Sequence, residues 1–152
     1  MDKIIISDTS CLIALSNIEM LDVLRELYQE VIITVDVLEE FGEPLPQWII
    51  VSEVKNINIQ EEIEKLLDKG EAGSIALALE TQNSTLIIDE IKGRKIAKSL
   101  NIEIIGTIGI LLLAEKRGLV KDATGLILNL VNKGFRLSEQ LIDKIIARHG
   151  KQ

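Results

Sequence analysis

Two acidic residues follow directly on apolar runs: Asp8 comes after Ile4-Ile5-Ile6-Ser7, and Asp89 after Leu86-Ile87-Ile88. If both runs are strands of an open parallel sheet, both carboxylates lie beyond the strand ends, where such sheets bind ligands. Thr107 follows the run Glu103-Ile104-Ile105 at the same level. Glu40 sits on the helix leaving the second strand. At about 100° per residue it lies about 105° from the centre of the apolar face Val37, Leu38 and Phe41, while Glu39 lies about 155° away. Glu40 therefore borders the packed face and Glu39 points to solvent. Glu71 opens a helix rich in small residues, where it either enters the crevice or complements the helix dipole. Four carboxylates sharing one cleft repel and raise one another's pKa values unless a cation neutralises them. Hard oxygen donors suit Mg²⁺ or Mn²⁺, and a metal-bound water can attack phosphorus, which is the chemistry of phosphodiester hydrolysis.

The elements that must position these residues follow from hydrophobic periodicity. Lys3 to Ser7 is a β-branched run without helical period, as expected of a strand buried on both faces. A helix starts at Ser10. Asn17 is placed to cap another, in which Ile18, Leu21, Leu24, Leu27 and Tyr28 recur at helical spacing. Val31 to Thr34 reads as the second strand, with Thr34 capping the helix Val35 to Phe41 and Gly42 ending it. Trp48 to Val54 reads as a short edge strand. An amphipathic helix from Ile59 to Asp68 is expected to stop at Gly70, before a second helix from Glu71 to about Thr81. Strands at Thr85 to Ile88 and Glu103 to Ile105 flank a helix from Ile91 to Leu100. Helices Thr107 to Arg117, Ala123 to Asn132 and Ser138 to Arg148 complete the chain. This alternation predicts an α/β fold with a parallel sheet of four to five strands, in one domain over residues 1–152.

Composition narrows the partners. The net charge of −7 counts against a protein that coats nucleic acid through Lys and Arg, so any RNA contact must be local. Aromatics at 3% remove the stacking platforms of sheet-surface RNA binders. An acidic chain still accommodates phosphate where bound metal inverts the local charge. A single cysteine, Cys11, excludes an intrachain disulfide, and no basic, apolar leader opens the chain, so a cytoplasmic location is expected. The apolar runs fall short of the roughly 20 residues needed to cross a bilayer, so no membrane association is expected. Cys11 reads as a core residue and His149 as an exposed tail residue. Lys92, Arg94 and Lys95 open the helix after Asp89, either to grip a substrate phosphate or as solvated surface charge.

Five segments together resemble the PIN domain: Ile5 to Leu15, Val35 to Phe41, Gly70 to Ala78, Leu86 to Ala97 and Ile105 to Leu111. They are closest to the branch of predicted nucleases that resemble VapC toxins. The resemblance covers essentially the whole chain, including the closing Lys133-Gly-Phe-Arg-Leu-Ser138 segment. It implies a three-layer α/β/α fold and a metal-dependent endoribonuclease, the toxin of a toxin–antitoxin pair, often a homodimer with an antitoxin partner. Carried over by position, it implies Asp8 as the central metal ligand supported by Ser10, with Glu40, Glu71 and Asp89 completing the acidic set. Glu71 stands where many members have Asp, and Asp89-Glu90 offers two neighbouring acids for one role. Ser10, Lys92, Arg94 and Thr107 are the expected substrate contacts.

Two rivals bear on the same residues. A phosphotransfer domain, either a receiver or a haloacid-dehalogenase relative, also places an Asp after its first strand. The dehalogenase type needs a second acid where Ser10 stands, and the receiver needs a lysine where Thr107 stands. The other rival is a PIN-like binding module without catalysis.

Overall fold

The structure, a computed structural model, describes residues 3–150 in their backbone and as far as Ala147 in their side chains; the side chain of His149 lies outside the described residues. The chain runs β1 (Ile4–Ser7), α1 (Thr9–Asn17), α2 (Asp22–Tyr28), β2 (Val31–Ile33), α3 (Val35–Phe41), β3 (Ile49–Val51) and α4 (Ile57–Glu64). It continues α5 (Lys69–Leu79), β4 (Ser84–Ile87), α6 (Ile91–Ser99), β5 (Glu103–Ile105), α7 (Thr107–Lys116), α8 (Ala123–Asn132) and α9 (Glu139–Gly150). The five strands are all parallel in the order β3-β2-β1-β4-β5, so the short stretch after Trp48 is indeed an edge strand.

β1 lies at the centre because its isoleucines serve two cores. Ile5 packs with Ile33 and Ile87 against Cys11, Leu12, Leu15, Ile110 and Leu111 of α1 and α7. Ile6 packs with Leu86 and Ile88 against Ile75 of α5 and Ala97 of α6. Alternate residues of one strand face opposite sides, so this split makes a three-layer α/β/α arrangement. α5 is buried from Ala72 to Ala78, its small side chains allowing close approach to the sheet.

The strand order places a topological switch at the centre. From β1 the chain goes to β2 and β3 on one side, then crosses to β4 and β5 on the other. The crevice of such a sheet opens beyond the carboxyl ends of the strands that flank the switch, here β1 and β4. Their register pairs Ser7 with Ile87, and the Asp8 N–H donates to the Ile87 carbonyl at 3.0 Å, so Asp8 emerges level with Ile88.

Several boundaries differ from expectation: α4 spans Ile57–Glu64 rather than Ile59 to Asp68, β3 is shorter than Trp48 to Val54, and two helix signals are overridden. Asn17 does not cap a helix: it is the last residue of α1, and α2 begins at Asp22. Between them the Met20 N–H folds back onto the Leu15 carbonyl and Glu19 takes a positive φ of 58°, which ends α1 and separates the two helices. Gly70 does not stop a helix either; it lies inside α5, whose cap is Asp68, accepting from the Glu71 N–H.

Candidate active site

A cleft of about 450 Å³ opens at the carboxyl end of the sheet and is lined by six carboxylates, those of Asp8, Glu40, Asp68, Glu71, Asp89 and Glu90. The four acids singled out from the sequence are brought to this one cleft. Asp68 joins them because it caps α5. Its signal in the sequence is Asp68 with Glu71 three positions on, the spacing of a capping box.

Asp8 is the most deeply set of the six, with 4% of its surface exposed. Although it occupies the N-cap position of α1, its side chain makes no capping hydrogen bond, so helix capping does not account for the carboxylate. Burial pushes its pKa up to about 7. The Thr9 backbone N–H opposes the rise, and the charges of Asp68, Glu40 and Asp89 add to it.

Each remaining acid is held differently. Glu40 is exposed like Glu39, but it accepts from the Thr9 hydroxyl at 2.9 Å, which turns it into the cleft, whereas Glu39 does not line it. Asp89 is the most firmly held. Its Oδ1 accepts from the Thr107 N–H at 2.7 Å, and its Oδ2 accepts from the Thr107 hydroxyl at 2.6 Å and the Ser10 hydroxyl at 3.3 Å. Glu90, its neighbour, is exposed and forms no side-chain cap on α6. Oε2 of Glu71 is buried and has no hydrogen-bond partner. Burial first, then the neighbouring Asp68 carboxyl, and then the charges of Asp8 and Glu90 raise the Glu71 pKa to about 8.

Of the expected substrate contacts only Ser10 lines the cleft: Thr107 is fully buried with its N–H and hydroxyl given to Asp89, and the basic pair is not brought to the lining. Lys92 is exposed on α6, and Arg94 folds back so that Nη1 donates to the Ile88 carbonyl at 2.8 Å. The cation that does line the cleft is Arg136, beside Phe135, from the turn between α8 and α9. In the sequence that pair is marked only as part of the Lys133-Gly-Phe-Arg-Leu-Ser138 segment of the family resemblance, with no role attached, and the packing of α8 carries it to the cleft. Cys11 is fully buried behind the site, and burial pushes its thiol pKa up, in keeping with a core residue.

Gly70 owes its place to Glu40. A Cβ at position 70 would overlap the Glu40 carboxyl group, 2.8 Å from its Cδ. The obstructing atoms are the end of a flexible side chain, so Gly70→Ala should displace the carboxylate rather than unfold the helix. Replacing a helical glycine by alanine stabilises by up to about 1 kcal/mol. Gly70→Ala is therefore expected to melt no lower than wild type while losing whatever activity depends on the placement of the Glu40 carboxylate. A large fall in melting temperature with activity retained would refute the packing argument.

The donor set fits a hard divalent cation. All six groups are carboxylates, and Glu71 presents a buried oxygen with no partner, as a site completed by a cation would. Among the described residues no three acidic, histidine or cysteine side chains are close enough together to hold a metal ion as they stand. The carboxylates surround the cleft, and Glu40 and Asp89 are steadied by hydroxyls meanwhile.

Comparison with known proteins agrees with this architecture. No curated protein and no solved structure gives a match. A family model described as PIN domain matches residues 4–151. With nearly the whole chain matched and an all-parallel sheet carrying acids at its central strand ends, the protein belongs to the PIN-domain family, whose members are generally nucleases.

Proposed function

We propose that this protein is an endoribonuclease that hydrolyses RNA phosphodiesters at the Asp8, Glu40, Glu71 and Asp89 site with Mg²⁺ or Mn²⁺. The observation that carries the reading is the convergence of carboxylates from β1, α3, α5 and the end of β4 on one cleft of a PIN fold. Asp8 and Glu71 are the natural first ligands, since both are held partly protonated near neutral pH and a cation would replace those protons. Asp89 and Glu40 are oriented toward the cleft by Thr107, Ser10 and Thr9. A bound divalent ion would supply a water of lowered pKa and offset phosphate charge. Arg136 offers the strand a counter-charge on the rim of the cleft.

From the resemblance of the sequence to VapC toxins we infer a toxin role, and with it a homodimer and an antitoxin partner that restrains the activity. No helix among the described residues is long and apolar enough to cross a membrane, so the helices impose no membrane-spanning segment on this role. The test is cleavage of single-stranded RNA by the purified protein with Mg²⁺, with Mn²⁺ and with chelator. Cleavage that requires the metal is expected. Cleavage undiminished by chelator would overturn the metal site, and metal binding without hydrolysis would leave a noncatalytic module. Growth arrest on induced expression, absent for an Asp8 variant, tests the toxin role, and light scattering of the purified protein tests the dimer.

A further inference from the structure

A second cavity of about 240 Å³ adjoins the acidic cleft, between α1 and the turn after α8. Ser10, Ile13 and Phe135 line both spaces, so the two are continuous. Their chemistry differs. The cleft is walled by carboxylates, whereas the second cavity is walled by Ile13, Ala14, Leu130 and Phe135, with Asn17 and Lys133 at its edge. Its volume is below the roughly 300–1,000 Å³ of pockets that enclose whole ligands, and suits one planar ring.

The turn that supplies Phe135 is anchored. Its N–H donates to the Leu130 carbonyl at 2.9 Å and the Gly134 N–H to the Val131 carbonyl at 3.0 Å. Gly134 adopts φ of +100°, a conformation side-chain-bearing residues rarely take. The ring is half-buried and packs on the core shared with α1 and α7, while Lys133 and Arg136 on either side are exposed. The sequence Lys133-Gly134-Phe135-Arg136 thus brings an apolar ring flanked by two cations to the edge of a strongly acidic site. Ile13 is 42% exposed despite lying on a helix whose neighbouring residues are buried, and leaves apolar surface beside that ring.

A nucleotide has the complementary pattern, an apolar-faced base between charged phosphates. We propose that the cavity lined by Ile13, Ala14 and Phe135 is a subsite for one unpaired base of single-stranded RNA, adjoining the bond to be cleaved. Phe135 provides the stacking surface, Lys133 and Arg136 contact the phosphates on either side, and Asn17 is placed to read the base edge. The inference rests on the nuclease reading and adds a substrate requirement to it: an unpaired base next to the cleaved bond. Base-paired RNA would keep that base in its stack, away from the cavity.

The test uses the intact Asp8→Asn chain in Mg²⁺, titrated with short single-stranded RNAs in which one nucleotide at a time is abasic. One position is expected at which base removal weakens binding roughly 5- to 150-fold, the loss of one base–aromatic stack. Adding Phe135→Leu should weaken intact RNA by a similar factor yet leave the RNA abasic at that position unchanged, and Phe135→Trp should restore the preference. Because Phe135 also packs on the core, Ile13→Gln serves as a second probe at an exposed position and should reduce the same preference. Equal affinity for intact and abasic RNA at every position, or an equal loss on both from Phe135→Leu, overturns the subsite alone if wild type cleaves RNA. Failure of any RNA to be bound or cleaved overturns the nuclease reading and the subsite with it.

Discussion

Asp8→Asn is expected to fold normally and to lose RNA cleavage by about 10³-fold or more. The substitution keeps the shape of a side chain that is 4% exposed and removes the charge at the centre of the acidic set. Metal and charge stabilisation at a phosphoryl centre is worth several kcal/mol, and each 1.4 kcal/mol or so is tenfold in rate. Glu40→Gln and Asp89→Asn should fall in the same direction. Asp89→Asn should also loosen Thr107 and Ser10, which donate to that carboxylate. Glu39→Gln is the control, since Glu39 is exposed one residue away and does not line the cleft. The measurement is single-turnover cleavage of a labelled single-stranded RNA. An Asp8→Asn rate equal to wild type would remove Asp8 from the mechanism, and a loss on Glu39→Gln but not on Glu40→Gln would reverse the assignment on α3.

The second large effect concerns stability. Asp8 and Glu71 have folded pKa values raised to about 7 and about 8, chiefly by burial, above the roughly 3.9 and 4.3 of unfolded Asp and Glu. A raised acid binds protons more readily in the folded chain. Its stabilising contribution is therefore complete below pH 4, is lost as pH rises to about 8, and is constant above. For Asp8 the difference sets a ceiling of order 4 kcal/mol, or about 10 °C in melting temperature for a domain of this size. Glu71 adds in the same direction. Mg²⁺ or Mn²⁺ should restore stability near neutral pH by binding the folded state, by about 2.7 kcal/mol at a metal concentration 100 times its Kd, and should do little at pH 4. Asp8→Asn should melt higher than wild type above pH 7 without metal and respond less to metal. Thermal melts of both proteins from pH 4 to 9, with metal and with chelator, check this. Equal metal shifts in the two proteins would show that the carboxylates do not act as one site.

How much of this was legible in the sequence depends on how far each inference had to reach along the chain. Asp8 and Asp89 needed almost no reach, because an acid that follows a buried parallel strand emerges at the carboxyl rim whatever the strand order. Glu40 needed one helical turn: Val37, Leu38 and Phe41 set the phase of α3, and the phase separates Glu40 from Glu39. The strands, the order of helices and the apolar runs of the two cores are local in the same sense, since each element carries its own period.

Other features have no local cause. A glycine in Asp68-Lys69-Gly70-Glu71 reads as a helix stop because glycine costs helix stability, yet here it continues α5, since the space a Cβ needs holds the carboxyl group of Glu40, 30 positions away. Asn17 has the chemistry of a cap, but the return of Met20 onto Leu15 and the burial of Ile18 decide where α1 ends. Arg94 lies close after Asp89 in sequence and is drawn off by the Ile88 carbonyl, whereas Arg136 lies far from it and lines the cleft. Side-chain types and periods thus determined the sheet, the layers and the strand-end acids, because those follow from backbone geometry over a few residues. Which hydroxyl holds which carboxylate, which cation reaches the cleft and which glycine is indispensable were decided only when α5, α7 and α8 packed onto the sheet, bringing together groups from distant parts of the chain.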